Sequence, residues 1–275
     1  MQTEKLQTAF TYFLLISLSI LFVAPFLWLV STSLKPDTQI LVYPPVWIPS
    51  PVQWKNYSDG LTAIPFMLYL QNTLFICAVS VVGTVFSSSL VAYGLSRIPW
   101  RGREVLFALL VGTMLLPPQV TMVPVFSIFK TLGWLDTYLP LTFPHFLGGA
   151  FNVFLLRQFF RTIPKELTES ARLDGASEWD NYRLIVLPLA KPALWTIALF
   201  AFIGAWNDYL GPLIYLFDDR KYTLSLGLAG FRSQYSAQWG QMMAVSTVVT
   251  VPLIVLFFFT QRTFVKGITM TGMKG

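Results

Sequence analysis

The chain has 275 residues, 55% of them hydrophobic and only 12% charged. An ordinary soluble domain carries about a quarter charged residues, so a water-soluble globule of this composition would lack the charged exterior to cover its apolar mass. The net charge of +6 does not argue for nucleic acid, because in so apolar a chain the distribution of Lys and Arg among loops matters more than their sum.

Charge-free runs separate Lys5 from Lys35, Asp59 from Arg97, Glu104 from Lys130, Asp136 from Arg157, Lys191 from Asp208, and Arg232 from Arg262. A helix needs about 20 apolar residues to cross a bilayer, and each run has room for one. The expectation is an all-α integral membrane protein, one transmembrane domain over 1–275. Six spans are placed at about 9–30, 70–95, 105–129, 139–160, 192–216 and 241–264. The first run is too long for the core of a signal peptide and shows no small-residue cleavage site, so it reads as an uncleaved span.

After the first span, residues 31–69 contain Pro36, Pro44, Pro45, Pro49, Pro51 and Pro65 with Trp47 and Trp54. Proline opposes helix formation and tryptophan suits a membrane interface, so this stretch reads as a non-helical connector along the bilayer surface. The third span carries Pro117-Pro118 and Pro124, which predict a break or bend. Such breaks at membrane depth persist only where protein or a cavity satisfies the freed backbone groups.

Orientation follows from alternate loops. The N-terminus, 96–104, 157–191 and the C-terminus hold Lys5, Arg97, Arg101, Arg103, Arg157, Arg161, Lys165, Arg172, Arg183, Lys191, Arg262, Lys266 and Lys274, thirteen cations. The opposite loops hold six: Lys35, Lys55, Lys130, Arg220, Lys221 and Arg232. This places both termini and the 157–191 loop in the cytoplasm. The single Cys77 cannot form an intrachain disulfide, and the lone His145 has no metal-ligand partner at useful spacing.

Between the fourth and fifth spans, residues 161–190 form the most informative loop. Pro164 fits the first turn of a helix, Glu166 and Glu169 lie near its positive end, and Gly175 supplies the left-handed residue that ends it. Ser177 caps a second helix with Asp180 at the capping-box position, and Pro188 stops that helix before the next span. Leu167, Ser170 and Ala171 share one face by the three-and-four spacing. On these grounds alone the two short helices are either a solvated link or a working part.

Glu169-Ser170-Ala171, Gly175, Ile185 and Leu187-Pro188 match, in order and spacing, the "EAA" loop that the sequence thereby resembles. That loop belongs to the permease subunits of binding-protein-dependent ATP-binding-cassette importers. Ser170 replaces the middle Ala with another small residue. The resemblance implies that Glu169, Ser170, Ala171, Asp174, Gly175, Ala176, Leu187 and Pro188 couple the membrane helices to an ATPase. It also implies two ATPase subunits that bind ATP and magnesium, a second, non-identical permease, an extracytoplasmic solute-binding protein, and a bacterial or archaeal cytoplasmic membrane. The chain has no Gly-x-x-x-x-Gly-Lys-Ser/Thr motif, so it is not itself expected to hydrolyse ATP or to hold a cofactor or metal.

Looser matches point to the carbohydrate branch of that family. Asp174-Gly175-Ala176 resembles the "DGA" of sugar permeases, and Ala92-Tyr93-Gly94-Leu95-Ser96-Arg97, followed by Gly102-Arg103, resembles the end of their second conserved span. Asn56-Tyr57, Asn72-Thr73 and Trp206-Asn207-Asp208 also fit, and Gln261-Arg262 to Lys274-Gly275 resembles the ending of the maltose-permease G-type subunit. Asp208 is the one acid well inside a predicted helix, and such residues usually face a bundle interior or an aqueous cavity. With Asn207 it can hydrogen-bond sugar hydroxyls while Trp206 or Tyr209 offers a ring face; the alternative is a polar clamp between helices. Import of a polyol or glycerol phosphate is the nearest competing function. An ion-coupled transporter would need more buried ionisable groups, and a membrane enzyme would need a catalytic constellation that the sequence does not offer.

Overall fold

The computed structural model describes residues 2–233 and 238–272, with the side chains of 5–231 and 238–261. Arg232 and the C-terminal motif from Arg262 onward therefore lie outside the described side chains. Every regular element among the described residues is helical. In chain order the α-helices are α1 (Gln2–Ser33), α2 (Lys55–Ala63), α3 (Phe66–Ser96), α4 (Arg103–Gly112), α5 (Pro118–Thr131), α6 (Leu139–Thr142) and α7 (Ala150–Thr162). There follow α8 (Lys165–Leu173), α9 (Glu178–Asp180), α10 (Leu187–Leu189), α11 (Lys191–Asn207), α12 (Leu210–Tyr215), α13 (Leu224–Ser233) and α14 (Trp239–Gly272).

Among the described residues, four helical stretches are long and apolar enough to cross a membrane: Lys5–Ser33, Phe66–Ser96, Leu139–Thr162 and Trp239–Gln261. Two bent pairs raise the number to six if each pair is one span: Arg103–Leu115 with Pro118–Thr131, bent by 101°, and Glu178–Leu189 with Lys191–Asn207, bent by 79°. The first bend falls at the Pro117-Pro118 pair. Pro117 is extended and Pro118 opens α5, where its missing N–H costs nothing.

Two expectations need correction. Residues 31–69 are not free of helix: the proline-free stretch between Pro51 and Pro65 forms α2. The fifth span does not run unbroken from 192 to 216, because the helix ends at Asn207 and Asp208 turns extended. Pro212 has no N–H to give the Asp208 carbonyl four residues back, and the Ser225 hydroxyl donates to that carbonyl instead. Asp208 Oδ1 meanwhile accepts the Gly211 N–H at 3.0 Å and starts α12.

The chain divides into two compact units, 1–67 with 227–255, and 68–226 with 256–275. In the first unit, α1 leaves large apolar side chains such as Phe13, Ile20 and Phe22 exposed, as a helix apolar all round does in lipid. Beyond it, Asn56 Nδ2 donates to the carbonyls of Ser33 and Lys35, both at 2.9 Å. The buried Lys35 places its ammonium 3.6 Å from the centre of the Trp28 ring. Gly60 lets α2 press on α14: a Cβ there would sit 2.9 Å from the Gln241 carbonyl oxygen.

In the second unit one apolar core gathers Ala92, Tyr93, Leu156, Phe160, Tyr182, Val186 and Ile197, from α3, α7, the turn after α9, and α11. A second joins Ile76, Phe129, Leu141, Tyr215 and Leu216. Buried arginines brace the ends of its helices. Arg157 forms a bidentate pair with Glu104 at 2.7 and 2.8 Å, donates Nε to the Leu95 carbonyl, and stacks over Phe107 at 3.8 Å. The Nε bond gives the buried guanidinium a second acceptor, which a charge this far from water needs.

Candidate functional site

Residues 164–190 fold as a helical hairpin whose shape is set by local sequence. Its first arm, α8, ends in a Schellman motif: Ala176 N–H donates to Ala171 O at 2.9 Å and Gly175 N–H to Arg172 O at 3.1 Å. Gly175 has φ +88°, which suits glycine, and open space surrounds the place a Cβ would take. The second arm opens with a complete capping box. Ser177 Oγ accepts the Asp180 N–H, and Asp180 Oδ2 accepts the Ser177 N–H at 3.0 Å.

The second arm then widens into a π-helical turn over Asn181–Val186 before α10. Pro188 sits inside α10 rather than ending it, and the chain bends after Ala190. Proline supplies no N–H to the carbonyl four residues back, and wide turns of this kind occur mostly as local bulges at functional sites. Both amide atoms of Asn181, fully buried at the start of the turn, lack a hydrogen-bond partner among the described residues.

The two arms are tied to each other and to α3. Arg172 Nε on α8 donates to Glu178 Oε1 at 2.7 Å, and the Tyr93 hydroxyl on α3 donates to Glu178 Oε2 at 2.8 Å. Glu178 holds the Arg172 guanidinium above its ordinary pKa range through that bond. The hydroxyls of Ser89 and Tyr182 lie 2.7 Å apart, and Arg97 Nη2 donates to the Ile163 carbonyl at 2.6 Å. None of Glu178, Tyr182 and Ser89 was among the coupling residues expected from the sequence; their partners are 85 and 93 residues away, and no local pattern encodes them.

The inner face of α8 is marked by buried Thr168. Glu166, Glu169, Ser170, Asp174 and Gly175 are exposed, while Ala171, Ala176 and Leu187 are half-buried and Pro188 is exposed. Ser170 thus lies nearer the centre of the outward face than Ala171, which is turned toward the inner flank. Five large apolar side chains stand out from this charged hairpin: Leu167, Leu173 (90% exposed), Trp179, Leu184 and Leu189. Exposed apolar groups that gather into a patch mark a surface that another protein or the membrane covers.

The residues at the end of the fifth span separate. Trp206 is buried against Phe202, ring centres 5.5 Å apart, with its N–H unpartnered. Asn207 returns its amide to the Ile203 carbonyl at 2.9 Å, and Tyr209 is exposed. Of the four, only Asp208 lines the cavity of about 400 Å³ in this unit, together with Thr84, His145, Asn152, Phe151 and Phe200. Thr84 Oγ1 lies 3.2 Å from His145 Nδ1. His145, Thr84 and Asn152 were not expected here; a polar residue inside an apolar run is the signal that marks them.

Elsewhere in the same unit, Asp136 closes a clasp. Its N–H donates to Tyr215 O at 2.8 Å, its Oδ1 accepts the N–H groups of Phe217 and Asp218, and its Oδ2 pairs with Lys221 at 2.6 Å. Lys221 and those two backbone donors hold the Asp136 carboxyl down at about 2.

Comparison with known proteins agrees with this architecture. The family profile described as binding-protein-dependent transport system inner membrane component matches residues 85–270. The trehalose/maltose transport system permease protein of Thermococcus litoralis is 34% identical over 265 residues, covering 94% of each chain. The sn-glycerol-3-phosphate transport system permease protein of Yersinia enterocolitica is 35% identical, covering 84% of this chain and 85% of its own. Among solved structures, a bacterial ABC transporter involved in import of the acidic polysaccharide alginate superposes with a TM-score of 0.82 at 25% identity, over 95% of this chain and 98% of that one. The profile spans more than half of the chain and the first relative nearly all of it. The protein is therefore a multi-pass membrane protein of the binding-protein-dependent transport system inner membrane component family.

Proposed function

We propose that this chain is a translocating subunit of an ATP-driven importer of neutral sugars or oligosaccharides. It works beside a second, non-identical permease, with two ATPase subunits that bind ATP and magnesium on the cytoplasmic side and a solute-binding protein outside. The distribution of Lys and Arg favours both termini and the hairpin facing the cytoplasm. The observation that carries the reading is the hairpin itself: a rigid charged element with Leu167, Leu173, Trp179 and Leu184 uncovered. It can do no chemistry, but it can transmit displacement. In this reading Glu169, Ser170, Asp174 and Gly175 form or shape the docking face, and Ala171, Ala176, Leu187 and Pro188 set the packing and the join to α11.

The cavity bears on the substrate. Asp208, Asn152 and Thr84 offer acceptors and donors to hydroxyl groups, and Phe151 and Phe200 offer ring faces. Among the described residues, none that lines it is Lys or Arg. A phosphate ester or an acidic polymer would be expected to meet cationic donors, so the cavity suits a neutral saccharide better than glycerol phosphate, the second reading that the Yersinia relative raises. Trp206, Asn207 and Tyr209 act on this path through the position of Asp208 rather than by touching substrate.

The test is uptake into proteoliposomes containing the assembled importer, with ATP inside and a solute-binding protein outside. Radiolabelled maltose, trehalose and glycerol 3-phosphate are the probes. Uptake of a sugar that needs both ATP and the ATPase subunits supports the proposal. Uptake of glycerol 3-phosphate alone overturns the substrate assignment, and uptake that survives without ATPase subunits but collapses with an ionophore overturns the transport class.

A further inference from the structure

Ser89 and Tyr93 on α3 and Arg97 just past its end are spaced four residues apart; the Arg97 N–H still donates to the Tyr93 carbonyl at 2.8 Å, so the three fall along one helical face, each about 6 Å above the last. All three bond to the hairpin or its root. Ser89 meets Tyr182 at 2.7 Å, Tyr93 meets Glu178 at 2.8 Å, and Arg97 meets the carbonyl of Ile163, just before α8, at 2.6 Å. The contacts span the hairpin from its entry to its π-helical turn. Tyr93 and Tyr182 also pack edge to face, with ring centres 5.3 Å apart. Arg172 completes the arrangement by fixing the other oxygen of Glu178, so the two arms are braced to each other at the point where they are tied to α3.

We infer that the Ser89–Tyr93–Arg97 face is a grip through which displacement of the hairpin moves the second span directly, and that Glu178 is its positioning residue. The inference rests on the coupling role proposed above for the hairpin, and it adds a route that the covalent join to α11 does not provide. The geometry favours a stiff link. The Arg172–Glu178 pair is partly exposed, with side chains 35% and 42% accessible, and contributes little stability of its own. The bonds on the α3 side are different: Ser89, Tyr93 and Tyr182 are all buried. Ser89 Oγ donates to the Phe86 carbonyl at 3.0 Å and so accepts from Tyr182, and the hydroxyls left unsatisfied if the arm pulls away are those of Tyr182 and Tyr93. Arm and span therefore separate only at a cost, and the grip is a contact apart from the join to α11, where the chain bends by 79°. The grip also gives a physical role to Tyr93 and Arg97, two of the residues that stand out in the sequence near the end of α3.

The experiment measures the distance between spin labels at Lys165→Cys on α8, an exposed position outside the proposed docking residues, and Phe75→Cys on α3, also exposed, in a Cys77→Ser background. It uses the assembled importer, nucleotide-free and trapped with ADP and vanadate. With the grip intact, the distance distribution keeps its centre and width on trapping, because arm and span move together. In Ser89→Ala/Tyr93→Phe the distribution widens and shifts on trapping, and the ratio of stimulated to basal ATP hydrolysis falls about tenfold. Ser89→Thr, which keeps the hydroxyl, behaves as the parent. A shift on trapping in the parent protein, or a double variant indistinguishable from it, overturns the grip. Ser170→Trp separates the two ideas. If it uncouples while the double variant does not, only the grip falls; if Ser170→Trp also behaves as the parent, the coupling role of the hairpin falls with it.

Discussion

The hairpin at 164–190 and the clasp around Asp136 are both turns outside the long apolar helices, yet they are built in opposite ways. The arms of the hairpin are shaped by bonds between near neighbours: a Schellman turn at Gly175, a capping box at Ser177, and the Arg172–Glu178 pair. The clasp is made by one residue reaching 81 to 85 positions along the chain to Phe217, Asp218 and Lys221. The use of polar groups differs too. Both regions leave large apolar side chains exposed, Phe217 at the clasp among them, but the clasp spends its polar groups on itself and holds Asp136 in the left-handed region at φ 56°, a conformation uncommon outside glycine. One is shaped to be covered by something else, and the other holds the unit together.

Substitutions can break or sharpen that contrast. The largest effect is expected beneath the hairpin rather than on it. Phe160 is fully buried in the core on which the second arm rests, and Phe160→Ala should cost about 3–5 kcal/mol of stability in a denaturant titration of the detergent-solubilised protein. Next comes Ser170→Trp on the outward face of α8. It should leave unfolding unchanged but weaken co-purification of the ATPase subunits by about thirtyfold or more, the scale of an interface hot spot. An unfolding midpoint lowered as much as in Phe160→Ala would mean that the outward face is structural, and the contrast would fail.

Smaller effects test the geometry. Gly175→Ala meets no neighbour but must hold φ +88°, so it should lose about 1–2 kcal/mol in the same titration, and Gly175→Asn less. Asp136→Asn should remove about 1 kcal/mol, since the pair with Lys221 is partly exposed and screened by solvent. Its signature is in pH. The Asp136 carboxyl titrates at about 2 in the fold against about 3.9 in an unfolded chain. The folded value is depressed, so the stability it confers is full above the unfolded pKa and disappears as pH falls through the folded one. Asp136→Asn should lack that step between about pH 4 and 2; an identical acid profile in both proteins would remove Asp136 from the clasp.

The same contrast explains what could be read from the sequence. The long apolar helices, the break at Pro117-Pro118, the left-handed Gly175 and the Ser177–Asp180 box depend on neighbours within a few residues, and the chain spells them out. The end of the fifth span was misread because an apolar count over 192–216 ignores Pro212, which leaves the Asp208 carbonyl without a helical donor. The α2 helix was missed because the prolines around it were given more weight than the proline-free residues 55–63. The polar contacts that complete the candidate site are long-range: Tyr93 to Glu178, Ser89 to Tyr182, Thr84 to His145. Each needs the fold to bring its partners together, and no spacing in the sequence announces them.

The central claim is that the hairpin is the surface on which an ATPase subunit docks. Photo-crosslinking from single positions in the assembled importer tests it most directly. A photoreactive residue at Leu173 or Trp179 should crosslink to an ATPase subunit, while one at Tyr138, beside the Asp136 clasp, should not. Crosslinks from Tyr138 to the ATPase, or none from either hairpin position in a complex that still hydrolyses ATP, would contradict it.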